Sequence, residues 1–454
     1  MPFQGPQVRL LAATGAVGFT PPDPERSFQA ALEREPDAIV ADAGSADIGP
    51  LFLGSDTAYN EPEWERLDLE RLIDGAMRLG VPLVIGSCGG TGTDRAVESY
   101  AQMVDALGRS RGEAYRTALI FAGATKDWLH TRIQDAGVIQ PTTALLEPLS
   151  GEDVEASDEL VAVMGAQPIA AALRNGAQIV LAGRACDDAL FAAAAMARGV
   201  PAAPAFLSGK LLENASLVAE PFVLRESVIA DVDEDGVVLE PMYPPQRCTR
   251  SSVAAQLMYE RSTPFEQAGP GGILDLSAIQ IDEIDERRVA LRGPRYHDAP
   301  PAVKVEGAGS VGYRSMSIAG IRDPQMIAAL DGVAAEMNDR VVATGAQIVA
   351  SVFGRDAVMG ALEPVRAPAH EVGVIVETTA ATQEQANAAA LLAKRVLFSA
   401  RYPGQTQSGG SIASMIDEFV ECGRAYRWTV NHVVPVDHLL APFPTEVRLL
   451  GADG

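Results

Sequence analysis

Apolar and polar positions along the first 190 residues repeat one arrangement five times: an apolar run, a turn of small residues, then a segment with helical spacing. The runs are Leu10-Leu11-Ala12-Ala13, Ala38-Ile39-Val40-Ala41-Asp42, Leu83-Val84-Ile85-Gly86, Ala118-Leu119-Ile120-Phe121-Ala122 and Ile179-Val180-Leu181-Ala182. Strands that alternate with helices connect by crossovers, so the pattern predicts a parallel, doubly wound α/β sheet with flanking helices. Ligands bind such sheets outside the carboxyl ends of the strands, which locates a site before its chemistry is known. Helices are expected over residues 25–34, 66–79, 94–107, 128–136, 168–173 and 188–197.

The period changes near residue 216. Residues 222–232 and 237–241 read as strands joined by the turn Asp233-Glu234-Asp235-Gly236, a hairpin signature. Further strands are expected at 287–293 and 302–307, with a helix over 251–260 between these groups. From residue 312 a strand (313–319), helix (324–337), strand (347–353) unit is followed by a second (372–378, 383–398, 428–434). Two split βαβ units predict an α+β layer of ferredoxin-like kind. The expected domains are therefore 1–215, an α/β domain carrying the ligand edge; 216–310, a β-rich connection; and 311–454, α+β.

Composition narrows the function. The 454 residues carry a formal net charge of −24, so the basic footprint of a nucleic-acid binder is absent and an anionic membrane is disfavoured. No run of about 18 apolar residues occurs and the start lacks a signal-peptide pattern, so a cytoplasmic protein is expected. The four cysteines, Cys88, Cys186, Cys248 and Cys422, form no CxxC pair, and the five histidines no HExxH.

Candidate chemistry gathers at the strand ends. Gly86-Ser87-Cys88-Gly89-Gly90-Thr91-Gly92-Thr93-Asp94 follows a strand and opens a helix. Its glycines would let amides approach an anion, with Ser87, Gly89, Gly90, Thr91 and Thr93 as binding groups; alternatively it is a tight turn with Thr93 or Asp94 as N-cap. A helix N-terminus would lower the Cys88 pKa and make it a nucleophile, whereas a buried free cysteine is a small hydrophobe. Asp42, Ser45 and Asp47 share one turn, suited to acid–base work or a divalent cation, or simply an Asx turn. Arg184 would clamp a carboxylate or phosphate, beside Asp187 as ligand contact or helix cap. Ser408 and Gly409, in Arg401-Tyr402-Pro403-Gly404-Gln405-Thr406-Gln407-Ser408-Gly409-Gly410-Ser411, form a second glycine- and hydroxyl-rich loop that would close over the first. His432 alternates with apolar residues on a strand, as a satisfied structural histidine would.

Several of these segments, in this order, resemble the acyclic terpene utilisation (AtuA-type) family: Asp42-Ala43-Gly44-Ser45 with Gly49-Pro50, the loop 86–94, Ala182-Gly183-Arg184, Ser252-Val253-Ala254-Ala255-Gln256-Leu257-Met258-Tyr259-Glu260, Gly271-Gly272-Ile273-Leu274-Asp275, Val303-Lys304-Val305-Glu306-Gly307-Ala308 with Gly312-Tyr313-Arg314, and the stretch 432–444. Gln256 departs from the related pattern, which often has His there. The resemblance implies breakdown of acyclic terpenoids and other carboxylic acids through coenzyme A thioesters. It also implies a separate small partner subunit, because some members carry a small C-terminal domain that this chain lacks.

The reading that follows is a lyase or isomerase acting on a small anionic carboxylic acid or its CoA thioester, with CoA entering as part of the substrate. Asp42 or Asp47 would move the proton, Arg184 would hold the anion and the loop amides would stabilise an enolate. A non-catalytic acyl-CoA-binding or assembly subunit, and a metal-assisted hydrolase built on the acidic turns, are the alternatives. Assembly into a homo-oligomer is expected.

Overall fold

The computed structural model describes residues 8–20, 27–44, 48–143, 146–261, 263–365, 367 and 369–451. Two compact units divide the chain: residues 1–308 with 428–454, and residues 309–427. Residues 216–308 and 428–454 belong to the first of these units.

All five apolar runs become strands of one sheet in the first unit. Val8–Ala12, Ala38–Asp42, Leu83–Gly86, Ile179–Ala182 and Tyr115–Ile120 lie side by side in that order, each neighbour parallel. Alternate residues feed two separate cores. Leu10, Val40 and Val84 pack on one face, against the helices Ala166–Arg174, Asp187–Ala197 and Ala202–Leu212. Leu11, Ile39 and Ile85 pack on the other, against Pro62–Leu79 and Asp94–Arg111. A sheet covered on both faces needs continuous apolar strands, which explains the sequence pattern.

Among the described residues the complete sheet is mixed rather than parallel and has ten strands. The expected hairpin, Val228–Val232 with Gly236–Pro241, pairs antiparallel with Val8–Ala12, and Val289–Arg292 and Gln280–Glu283 extend it. Thr445–Leu450 closes the far edge, antiparallel to Tyr115–Ile120. The two expected strands 302–307 and 313–319 are one continuous strand, Ala302–Ile321, whose start pairs with Glu159–Val163.

Ala202–Leu212 was not legible as a helix. Nine of its eleven residues are buried, so it has no polar face to set a period. It packs on Asp187–Ala197 through Gly209, where a Cβ would lie 2.0 Å from the Asp188 carbonyl oxygen.

In the second unit, Val372–Ala380 lies between Gln347–Phe353 and Ala302–Ile321, and Val420–Pro435 pairs with Ala302–Ile321. The helices Leu330–Val342 and Gln383–Phe398 share its apolar core. The first of the two split βαβ units expected from the sequence lies here, with the strand and helix of the second, whereas the residues 428–434 expected to close that second unit belong to the first compact unit. Among the described residues no helix is long and apolar enough to cross a membrane.

Candidate active site

A cavity of about 530 Å³ opens at the carboxyl ends of the parallel strands in the first unit. Its wall includes Gly15, Ala16 and Phe19 after the first strand, Asp42 and Gly44 at the second, and Arg184 and Asp187 after Ile179–Ala182. Glu213, Asn214, Leu217, Phe222, Leu224, Tyr259 and Lys304 complete most of it.

Asp42 ends its strand almost fully buried, with Oδ2 accepting from the Gly44 amide at 2.9 Å. Burial raises its pKa, and the Arg184 charge opposes the rise. Arg184 is buried too. Its Nε donates to Glu306 Oε2 at 2.9 Å and its Nη1 to the Ser87 hydroxyl at 3.4 Å. Burial works against this guanidinium, but Glu306 and Asp187 outweigh it and raise its pKa. Glu306 Oε1 is also paired with Lys304 Nζ at 2.6 Å. Burial would raise the Glu306 pKa, yet the two cations hold it at about 2. Arg184 and Lys304, both in the cavity wall, thus share one carboxylate.

Asp187 opens the helix Asp187–Ala197 and Glu213 caps the helix Ala202–Leu212. Asp187 accepts no hydrogen bond among the described residues, and its pKa is pushed well above the ordinary carboxylate range by burial and by the Asp42 charge. Glu213 Oε1 accepts from Lys210 Nζ at 2.6 Å and from Gln256 Nε2 at 3.2 Å. Burial pushes Glu213 up to about 8 against the opposing Lys210 charge. Behind it Asp188, held by Gln267 Nε2 at 2.9 Å, is raised to about 6 by burial. Perturbed carboxyls gathered in a cleft are what proton transfer near neutral pH requires.

The glycine loop has a different role from the expected one. The amides of Ser87, Cys88, Gly90 and Gly92 donate to Gly183, Ala182, Ser87 and Cys88 carbonyls at 3.0–3.1 Å, so they are committed inside the fold. A Cβ on Gly92 would lie 2.2 Å from the Arg184 nitrogen, and one on Gly44 would lie 2.3 Å from Ser87 Cβ. The glycines let three strand-end turns touch, and the loop braces Asp42 and Arg184; this corrects the expectation of an amide cradle for an anion. Thr93 is the N-cap, accepting from the Ala96 amide at 3.3 Å. Gly90 and Thr91 lie behind Arg184, in a space of about 10 Å³ shared with Glu306 and Trp428. Gly89 accepts from the Tyr59 amide at 3.2 Å.

Cys88 is fully buried, and burial, with the charges of Glu65 and Asp42, raises its thiol pKa well above the ordinary value. The expected helix-activated thiolate is corrected accordingly, and iodoacetamide labelling with peptide mapping is expected to leave Cys88 unmodified in the native protein. Ser45 and Asp47 lie outside the described residues. Ser408 and Gly409 belong to the second unit, where the Ser408 carbonyl accepts from Arg401 Nη1 at 2.6 Å. His432 is satisfied structurally: Nδ1 accepts from the Asn431 amide at 3.0 Å and Nε2 is 2.9 Å from the Glu147 carbonyl oxygen.

Sequence reasoning missed Lys304, Glu306 and Glu213 as site residues. The first two carried a signal, because residues two apart on a strand share a face. Among the described residues no cluster of three or more His, Cys, Asp or Glu could hold a metal ion.

No curated protein and no solved structure matches the chain. The sequence profile described as acyclic terpene utilisation family protein AtuA matches residues 8–422, a span that contains every cavity residue named above. The chain belongs to the acyclic terpene utilisation family, a membership that suggests a role in the use of acyclic terpenes.

Proposed function

We propose that this protein is a catabolic enzyme of lyase or isomerase type, acting on a carboxylic acid or its CoA thioester by proton transfer next to the carbonyl. One observation carries the reading: Asp187, a carboxyl with a raised pKa and no hydrogen-bond partner among the described residues, lines the same cavity as the cations Arg184 and Lys304. A proton carrier beside fixed positive charge suits enolate chemistry, since charge that develops on the carbonyl oxygen meets preorganised cations. Asp187 moves the proton, Arg184 and Lys304 hold the carboxylate or thioester carbonyl, and Asp42 tunes Asp187 from behind. Phe19, Leu217, Phe222, Leu224 and Tyr259 line the cavity while remaining exposed, a convergence that suits an apolar acyl chain.

Thermal shift against decanoate, decanoyl-CoA and CoA tests the binding step, since a ligand of the native state raises Tm by mass action. Stabilisation by decanoate or decanoyl-CoA that is lost in Lys304→Gln is the expected result. Lys304 is partly exposed, so the variant should fold. Folded protein that responds to neither acyl probe sinks the proposal. A response to decanoyl-CoA that CoA alone reproduces, and that Lys304→Gln retains, favours the acyl-CoA-binding subunit instead.

A further inference from the structure

We propose that the strand Gln347–Phe353 is a self-association edge, along which two copies of this chain join their second-unit sheets across a two-fold axis. None of its residues lines the cavity, and the function proposed above does not bear on it.

Among the described residues six strands stand at the ends of the three sheets. An end strand leaves alternate amides and carbonyls unpaired, and natural proteins blunt such edges with charge or keep them short. Five of the six follow that rule. Gln280–Glu283, Thr445–Leu450, Arg295–Asp298 and Glu266–Gly269 carry charged residues, and Ala413–Ser414 is two residues long. Gln347–Phe353 is the exception: at seven residues it is the longest of these edges, and it carries no charge. It pairs on one side only, with Val372–Ala380. Val349 is 63% and Phe353 47% exposed, and Ala350 is exposed as well.

The occupant follows from the symmetry of the strand. In an antiparallel pair centred on Ala350, that residue meets its own copy, Ile348 meets Val352, Val349 meets Ser351 and Gln347 meets Phe353. Directly opposed residues share a face of the sheet. Ile348 and Val352, which pack on the apolar core of the unit, therefore extend that core across the axis, while Val349 and Phe353 extend the other face. The seven pairs bring no charges together, which matters in a chain of net charge −24 whose copies otherwise repel. Seven strand residues span about 24 Å and a sheet with one helix layer is about 20 Å deep, so each copy offers on the order of 500 Å². A standard interface buries about 800 Å² per partner, so a reversible dimer of micromolar affinity is expected.

Sedimentation velocity of the full chain across the micromolar range should show a mass that rises toward twice that of one chain. Ala350→Lys sets two like charges opposite each other and is expected to weaken the dimer about 10-fold or more. Ala350→Cys reads the register, because only position 350 meets itself, at a Cα separation of about 4.5–5.5 Å that a disulfide can span. Under a mild oxidant Ala350→Cys should give a covalent dimer, while Gln347→Cys and the parent chain, with its four cysteines, should not. Should Ala350→Lys fail to fold, the two cysteine variants carry the test. A chain that stays monomeric throughout overturns the proposal, and so does a dimer that survives Ala350→Lys and gives no cross-link with Ala350→Cys.

Discussion

Replacing Gly209 by alanine is expected to leave little folded protein. The new Cβ would sit 2.0 Å from the Asp188 carbonyl oxygen and 2.7 Å from its carbon, against backbone that cannot rotate aside. Two effects of opposite sign compete. Alanine is the better helix former by about 1 kcal/mol, which in an isolated helix would stabilise. Overpacking a closed core costs about 1–3 kcal/mol and more where backbone must move. Here both helices are buried nearly all round, so separating them also opens their common core. The net loss is expected to be several kcal/mol, out of a total stability on the order of 5–15. The contact also sets the spacing of the site, because one helix opens with Asp187 and the other is capped by Glu213. Soluble yield and the urea midpoint report the outcome. A midpoint equal to or above that of the parent protein would show that the helices can separate freely, contrary to this account.

The same helix pair shows where sequence reasoning stops. The parallel strands were legible because each apolar run ends in small residues and is followed by a 3.6-residue period. Ala202–Leu212 has no polar face, and a helix without one is indistinguishable from any apolar segment. Glu213 was illegible for a related reason: nothing local marks it, and it joins the site only because Gly209 lets its helix lie against the next. Lys304 and Glu306 stood in plain alternation, but their partner Arg184 is 122 residues from Glu306 in the chain. The loop 86–94 is the reverse case. Its glycines marked a close approach correctly, yet a glycine tolerates a ligand and a neighbouring backbone equally well. At Gly92 the neighbour is the Arg184 backbone.

Raising the pH from about 5.5 to about 8.5 is expected to destabilise the fold by several kcal/mol. Glu213 moves from an ordinary 4.5 to about 8 on folding, Glu65 from 4.5 to about 7, and Asp188 from 3.8 to about 6, burial being the largest cause in each. Between each pair of values the folded protein holds a proton that the unfolded chain has released. The unfolded state then binds fewer protons, and stability falls as pH rises. One group contributes at most about 1.4 kcal/mol per pH unit inside its window, so Glu213 alone accounts for roughly 3 kcal/mol between about pH 5.5 and 8. Glu306 acts in the opposite direction. With its folded pKa near 2, its contribution is present above the ordinary 4.5 and is lost as pH falls through about 2. The stability maximum should therefore lie near pH 5, below the usual neutral range. Urea midpoints at about pH 5.5, 7 and 8.5 measure the slope. Glu213→Gln, which cannot ionise, should flatten its upper half. A midpoint that holds level or rises to pH 8.5 would mean that these carboxyls are ionised in the native state. The site would then lack the protonated groups that a proton donor at neutral pH requires, so the stability curve bears directly on the chemistry proposed for the cavity.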